Sequence, residues 1–258
     1  MSETAVSRCS RCGQEFEWQD ESADLYGFKV PPPTICGGCA ADDAEREARQ
    51  KREDALVAIG VPKAYWHKLA ASCGPVCAVG CTRHFNPANA SQAKARGEAA
   101  KVVSMVKAGR TAPGDCGLLL WGAPGTGKTH LSCTVAMALG SELALWVNAS
   151  ELWESIRRGF SGDADDLYER AMVAPYLVLD DLGTERVNEW VRERFYLLLN
   201  SRTNSDLGML VTTNLTLGDL SERLGDNAIS RLGGLCPVQV KVDGPDGRRA
   251  RNVGVQRG

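Results

Sequence analysis

The sequence predicts an α/β fold built on a parallel sheet, and three observations carry that prediction. From residue 111 onward, short apolar runs alternate with amphipathic, helix-favouring stretches, the order of repeated βα units. One apolar run, Gly117-Leu118-Leu119-Leu120-Trp121, leads through the glycine-rich turn Gly122-Ala123-Pro124-Gly125-Thr126-Gly127-Lys128-Thr129 into a helical stretch that opens with His130. Another, Tyr176-Leu177-Val178-Leu179, ends in the paired acids Asp180-Asp181. Strands are expected at Leu118–Trp121, Leu143–Val147, Tyr176–Asp180, Met209–Thr213 and Val238–Val242.

Composition bounds the rest. The chain has 258 residues, enough for one core domain with an appendage or for two modest domains. Apolar residues make up 43% and charged residues 24%, an ordinary water-soluble composition. No run of 18 or more apolar residues occurs, so no membrane span or membrane partner is expected. The start, Met1-Ser2-Glu3-Thr4, lacks a basic-then-apolar signal, and the expected compartment is the reducing cytoplasm. There the ten cysteines read as thiols and metal ligands rather than disulfides. A net charge of −2 gives no overall pull toward nucleic acid.

Three regions follow in order: a metal-binding module over 1–40, a helical linker with a Cys-rich insert over 41–110, and the α/β domain over 111–258. In the first, Cys9-Ser10-Arg11-Cys12 and Cys36-Gly37-Gly38-Cys39 are two C-x₂-C pairs. Each presents two thiolates from one tight turn, and four thiolates satisfy tetrahedral Zn²⁺, so Cys9, Cys12, Cys36 and Cys39 are the expected zinc ligands. Gly13 and Gly38 suit turns whose N–H groups point back at sulfur. Phe16, Trp18, Tyr26 and Phe28 form the small core of such a module; Phe16 and Trp18 are equally suited to stacking on bases. In the linker, Ala41–Ile59 and Ala88–Ala108 are dense in helix-favouring residues. Between them Cys73, Cys77, Cys81 and His84 offer soft ligands for a second metal site, zinc or an iron–sulfur cluster; isolated thiols are the alternative. Cys116, Cys133 and Cys236 sit beside apolar runs and read as packing.

The chemistry is concentrated in the α/β domain. The glycine-rich turn fits G-x-x-x-x-G-K-[ST] at every fixed position. A strand before it and a helix after it aim backbone N–H groups and the positive helix end at an anion. The expected ligands are ATP and Mg²⁺, held by Gly122 through His130. Lys128 reaches the β- and γ-phosphates, and Thr129 places its hydroxyl on Mg²⁺. Asp180 is the second magnesium residue, and Asp181 polarises the attacking water. Asp181 is one carbon shorter than the glutamate usual at that position, which predicts slow, switch-like turnover. Asn214, at the end of the Met209–Thr213 strand, either orients the water or caps the helix that follows. Arg231 on a short helix either stabilises charge on a neighbour's γ-phosphate or is a solvated surface residue. Within Ala149–Phe160, Leu152, Ile156 and Phe160 share one helix face, flanked by Arg157 and Arg158.

The ordered set resembles the DnaC/IstB-like ATPases, a group of AAA+ proteins. The residues that carry the resemblance are the phosphate loop with His130-Leu131, Leu177-Val178-Leu179-Asp180-Asp181-Leu182-Gly183, Leu199-Asn200-Ser201-Arg202, Thr212-Thr213-Asn214-Leu215 and Ser230-Arg231-Leu232. Ile59-Gly60-Val61-Pro62-Lys63 resembles the segment that precedes this core in the family. The resemblance implies an AAA+ core over about 115–255, with Asn214 as the sensor asparagine and Arg231 as an arginine finger acting in a neighbouring subunit. Self-association follows from such a finger. Gly244-Pro245-Asp246-Gly247-Arg248 is similar to a C-terminal Gly-x-Ser-x-Arg segment, with Asp246 in place of serine and Arg248 as a second sensor. The implied activity is ATP-dependent loading of a DnaB-like hexameric replicative helicase onto single-stranded DNA, with Arg157 and Arg158 at the DNA and the zinc module on the helicase. The N-terminal module favours a phage or prophage version. An IstB-like helper that binds duplex DNA and recruits a transposase is the alternative. A small-molecule kinase, and a zinc module that is only a structural clamp, are the remaining readings.

Overall fold

The computed structural model describes residues 3–20, 33–63, 66, 85–159, 167–183 and 188–246. Cys73, Cys77, Cys81, His84, Tyr26, Phe28, Phe160, Arg248 and the Arg158 side chain lie outside the described residues. Two compact units divide at Asp54 and Ala55.

In the first unit, β1 (Glu3–Arg8) and β2 (Glu15–Asp20) pair antiparallel, from Glu3 opposite Asp20 to Arg8 opposite Glu15. Trp18 lies across this hairpin and donates its indole N–H to Ser7 Oγ at 2.9 Å. The hairpin is not among the strands expected from the sequence, because its alternation is short and blurred, with Val6 outward beside the charged Arg8, Glu15 and Glu17. Helix α1 (Gly37–Ile59) begins in this unit, supported on its polar surface by the i,i+4 pairs Glu47–Lys51 at 2.7 Å and Arg49–Glu53 at 3.0 Å.

The second unit is a five-stranded parallel sheet in the order β4-β5-β6-β3-β7. Its strands are β3 (Leu118–Trp121), β4 (Ala144–Asn148), β5 (Tyr176–Leu182), β6 (Met209–Thr213) and β7 (Val238–Lys241). They match the expected strands to within one or two residues. β3, β5 and β6 are buried almost throughout, which explains their continuous apolar runs. All strands run the same way, so their C-terminal ends share one edge, where ligands of open α/β sheets bind.

Two apolar layers cover the sheet. One holds α2 (Ala90–Lys107) and α4 (Lys128–Leu139) against Leu118, Leu120, Trp146 and Val178. The other holds α5 (Ala149–Gly159), α6 (Leu167–Val173), α7 (Glu189–Asn204), α8 (Leu217–Leu224) and α9 (Asp226–Leu235). A single short turn of helix, α3 (Pro113–Cys116), leads into β3. α2 has the composition of a solvated linker helix, yet Ala95, Ala99, Val102 and Val106 are buried in the core of this unit. Its small alanines let the helix approach closely.

Cys116, Cys133 and Cys236 are buried, as packing requires, and burial pushes the Cys116 thiol up to about 12. Arg202 is fully buried. Its guanidinium donates to Ala171 O at 2.8 Å, Ala174 O at 3.0 Å and Gly208 O at 2.6 Å, tying the end of α6 to the start of β6. Burial lowers its pKa to about 10. Among the described residues no helix is long and apolar enough to cross a membrane.

Candidate functional site

The phosphate loop joins β3 to α4. Gly125 and Gly127 have φ of 80° and 99°, in the left-handed region that favours glycine. A Cβ on Gly127 would stand 2.6 Å from Phe85 Cε2, and one on Gly125 would coincide with the Asp246 carboxylate, 2.9 Å from Asp246 Cα. Both glycines are therefore required by packing as well as by backbone angle. Gly127 caps α4 without a side-chain bond, which leaves the N–H groups of the first helical turn to an incoming anion. Lys128 is buried, and its ammonium donates to Gly122 O and Ala123 O, each at 2.7 Å. Its charge is thus held over the loop. Thr126 Oγ1 closes the turn on Ala123 O at 3.0 Å. His130 meets the Phe85 ring edge-on, with centroids 5.8 Å apart.

The acid pair lies at the end of β5, two strands from β3 with β6 between. Asp180 is 2% exposed. Its Oδ1 accepts from Thr212 Oγ1 at 2.7 Å and from Ser132 Oγ at 2.9 Å. Burial raises the Asp180 pKa, against the pull of the Thr212, Ser132 and Thr129 hydroxyls. Ser132 Oγ lies 2.9 Å from both Thr129 O and Asp180 Oδ1, and so links the two expected magnesium residues, one from the loop and one from β5. Between Leu179 and Leu182 the pairing with β6 is irregular, and Asp181 in that bulge has a φ of 60°. Asn214 Nδ2 donates to Asp181 Oδ1 at 2.7 Å. The helix that follows is capped instead by Thr216, which forms a capping box with Asp219. Asn214 therefore bonds Asp181 of the acid pair and is not the N-cap of that helix. A buried carboxylate held by hydroxyl donors, an amide-held second carboxylate and a lysine-lined anion loop can together bind a magnesium-complexed phosphate chain and hold a water against it.

Arg231 lies apart from these residues. It is exposed on α9, with its guanidinium carbon 5.9 Å from the ring centroid of half-buried Tyr196. Hydrogen bonds from Asn200 and Arg231 hold the Tyr196 hydroxyl below its usual range. Both line an open groove of about 490 Å³ with Pro113, Thr203, Asn227 and Ser230. None of the groove residues belongs to the phosphate loop or the acid pair. Arg157 is exposed near the end of α5, whose Leu152 and Ile156 face the core.

Sequence reasoning missed a clamp at the start of α2. Gln92 Nε2 donates to Thr126 O in the phosphate loop at 3.1 Å. Asn89 Nδ2 donates to Asp243 O at 2.9 Å, and Ser91 Oγ donates to Lys241 O at 2.9 Å. One helix end thus braces both the loop and the chain leaving β7. The sequence signal was slight: Asn89 is a recognisable helix cap. Ser132 and Phe85 carried no signal of their own, and Thr212 only its place in the Thr212-Thr213-Asn214-Leu215 motif.

In the first unit, the sulfurs of Cys9, Cys12, Cys36 and Cys39 all lie within 4.8 Å of one another. Cys12 Sγ and Cys36 Sγ are 3.8 Å apart. A tetrahedral ion with metal–sulfur bonds of about 2.3 Å sets its sulfurs about 3.8 Å apart, so the cluster fits one. Gly13, with a φ of 73°, turns the chain after Cys12, and Cys39 N donates to Cys36 Sγ at 3.5 Å. Backbone N–H groups of Cys12 and Cys36 bring the Cys9 thiol down to about 6. The Cys36 and Cys12 thiols beside Cys39 push it up to about 12. The four sulfurs crowd one another as anions, and a cation at their centre relieves that conflict. Phe16 and Trp18 are half-buried.

The model of the IstB-like ATP binding protein family matches residues 90–232. A crystal structure of the DnaC helicase loader is 25% identical, with a TM-score of 0.55, covering 70% of this chain and 100% of that one. A crystal structure of DnaI is 23% identical, with a TM-score of 0.55, covering 66% of this chain and 90% of that one, and it supports the fold alone. No curated protein matches the chain.

Proposed function

Because the chain belongs to the family of IstB-like ATP binding proteins, we propose that it is an AAA+ ATPase that loads a hexameric replicative helicase onto single-stranded DNA. The observation that carries the ATPase reading is the meeting of three elements at one sheet edge: Ser132 of α4 links Thr129 O to Asp180 of β5, and Asn214 from the end of β6 bonds Asp181. Gly122 through His130 take the phosphates of ATP, with Lys128 on the β- and γ-phosphates. Thr129 and Asp180 are the residues that would hold Mg²⁺, which supplies positive charge to the phosphate oxygens. Asp181 takes the proton-bearing side of the attacking water, and Asn214 fixes its carboxylate. Arg231 reaches the γ-phosphate held by a neighbouring subunit, which suits its exposure and its distance from the acid pair. Arg248 acts as the second sensor.

The likeness to the DnaC helicase loader over that whole chain supports the loader reading. The cysteine cluster, holding Zn²⁺, stabilises the module that grips the helicase. Arg157, at the exposed end of α5, contacts DNA phosphates. The family description favours one alternative, an IstB-like helper that binds duplex DNA and recruits a transposase.

Complex mass in solution separates the two. The protein mixed with the replicative helicase of its host, with and without ATP, is expected to give a defined complex that is lost when residues 1–54 are removed. Absence of a complex in every nucleotide state, together with ATP-dependent binding of duplex DNA, would transfer the assignment to the transposition helper.

A further inference from the structure

Thr212 sits on β6 between the two acids and is 1% exposed. Its hydroxyl makes two bonds at once. It donates to Asp180 Oδ1 at 2.7 Å and accepts from the backbone N–H of Asp181 at 2.9 Å. A hydroxyl has one proton to give, so the amide fixes its lone pair and the proton is directed to Asp180. The amide needs this partner because β5 leaves regular pairing with β6 between Leu179 and Leu182. A non-glycine residue with a φ of 60° is disfavoured, and such conformations persist where surrounding bonds over-determine them.

The other donor to Asp180 is less committed. Ser132 Oγ lies 2.9 Å from Asp180 Oδ1 and 2.9 Å from Thr129 O, and has one proton for both. It also accepts from Trp146 Nε1 at 3.1 Å. Thr212 is therefore the firm bond of the network, and it touches both acids.

We propose that Thr212 is a positioning residue for ATP hydrolysis. One hydroxyl sets the rotation of the Asp180 carboxylate toward the cation and holds the Asp181 backbone in the bulge from which Asn214 reaches its side chain. This rests on the ATPase reading above. It assigns Thr212 a function that a buried strand threonine does not otherwise have, since a threonine kept only for packing would be replaceable by valine.

The test is T212V, which keeps the shape and removes the hydroxyl, beside T212S, which keeps the hydroxyl. Turnover, the KM for ATP, the Mg²⁺ concentration for half-maximal rate and the thermal midpoint are measured on each. For T212V, kcat is expected to fall by roughly 10–100-fold, as for other groups that orient metal ligands, and the Mg²⁺ requirement to rise on the order of 10-fold. The KM for ATP should stay within about twofold, because the phosphate loop is untouched. T212S should recover most of the rate. Wild-type kcat and Mg²⁺ requirement in T212V, or a T212S as impaired as T212V, would overturn the proposal. If T212V does not fold, T212C replaces it, a weaker donor of similar volume, with the same expected and overturning results. A wild-type protein that binds no nucleotide would overturn the ATPase reading itself, a result visible before any variant is made.

Discussion

Lys128 is held in the loop by two carbonyl groups, so its ammonium stands ready before any anion arrives. Lys128→Ala should abolish measurable ATP binding while leaving the fold intact, as read by a fluorescent nucleotide titration beside far-UV circular dichroism. Asp181→Asn keeps the size of the side chain and removes its charge. It should leave ATP affinity within about threefold and lower kcat by on the order of 10²-fold or more, the scale of general-base catalysis. Wild-type turnover should itself be slow, below about 10 s⁻¹, the median for enzymes. These residues are legible in the sequence because fixed spacing along one stretch of chain carries their roles. Thr212, Ser132 and Gln92 are not, since each acts on a partner 31 or more residues away: Thr212 on Asp180 and Asp181, Ser132 on Asp180, Gln92 on Thr126. Thr212 stands in the motif that runs through Asn214, but nothing in that spacing announces its bonds to both acids.

At the scale of elements, α2 separates what composition suggests from what packing decides. Its charged and polar residues nearly equal its apolar ones in number, yet the alanines and valines of one face fill the core. A chain beginning at residue 111 should therefore fail to fold, whereas one beginning at Ala55 should give cooperative thermal unfolding. Ala99→Leu, at a fully buried position, should cost about 1–3 kcal/mol in urea unfolding, the scale of overpacking. The strands of the sheet were legible because buried parallel strands are continuous apolar runs. The β1–β2 hairpin was not, because a two-stranded ribbon tied at one end needs little apolar surface of its own. Cys9→Ser should release the bound metal and the ordered hairpin together, by elemental analysis and by amide hydrogen exchange of Val6 and Phe16, while ATP binding persists.

At the scale of the whole molecule, the site described above is incomplete as a switch if Arg231 works in a neighbour. Arg231→Ala should bind ATP with affinity within about threefold of wild type, yet lose the rise in turnover that comes with protein concentration. Loss on the order of 10³-fold in stimulated rate is the scale expected of an arginine finger. The sequence carried the family through an ordered set of short motifs, three at strand ends of the sheet and two within α7 and α9. It did not carry the groove beside Tyr196, which forms only when α7 and α9 pack together.

The brace at the start of α2 has a further consequence for how the protein is made. Ser91 and Asn89 bond to Lys241 and Asp243, which follow them by 150 and 154 residues. During synthesis the helix leaves the ribosome roughly 8–30 s before those partners, at ordinary elongation rates. Until β7 emerges, the sheet has an open edge at β3 and the phosphate loop lacks part of its support. The nascent chain is thus committed to waiting for β7, and a translational stop near residue 238 would damage α2 as surely as β7 itself.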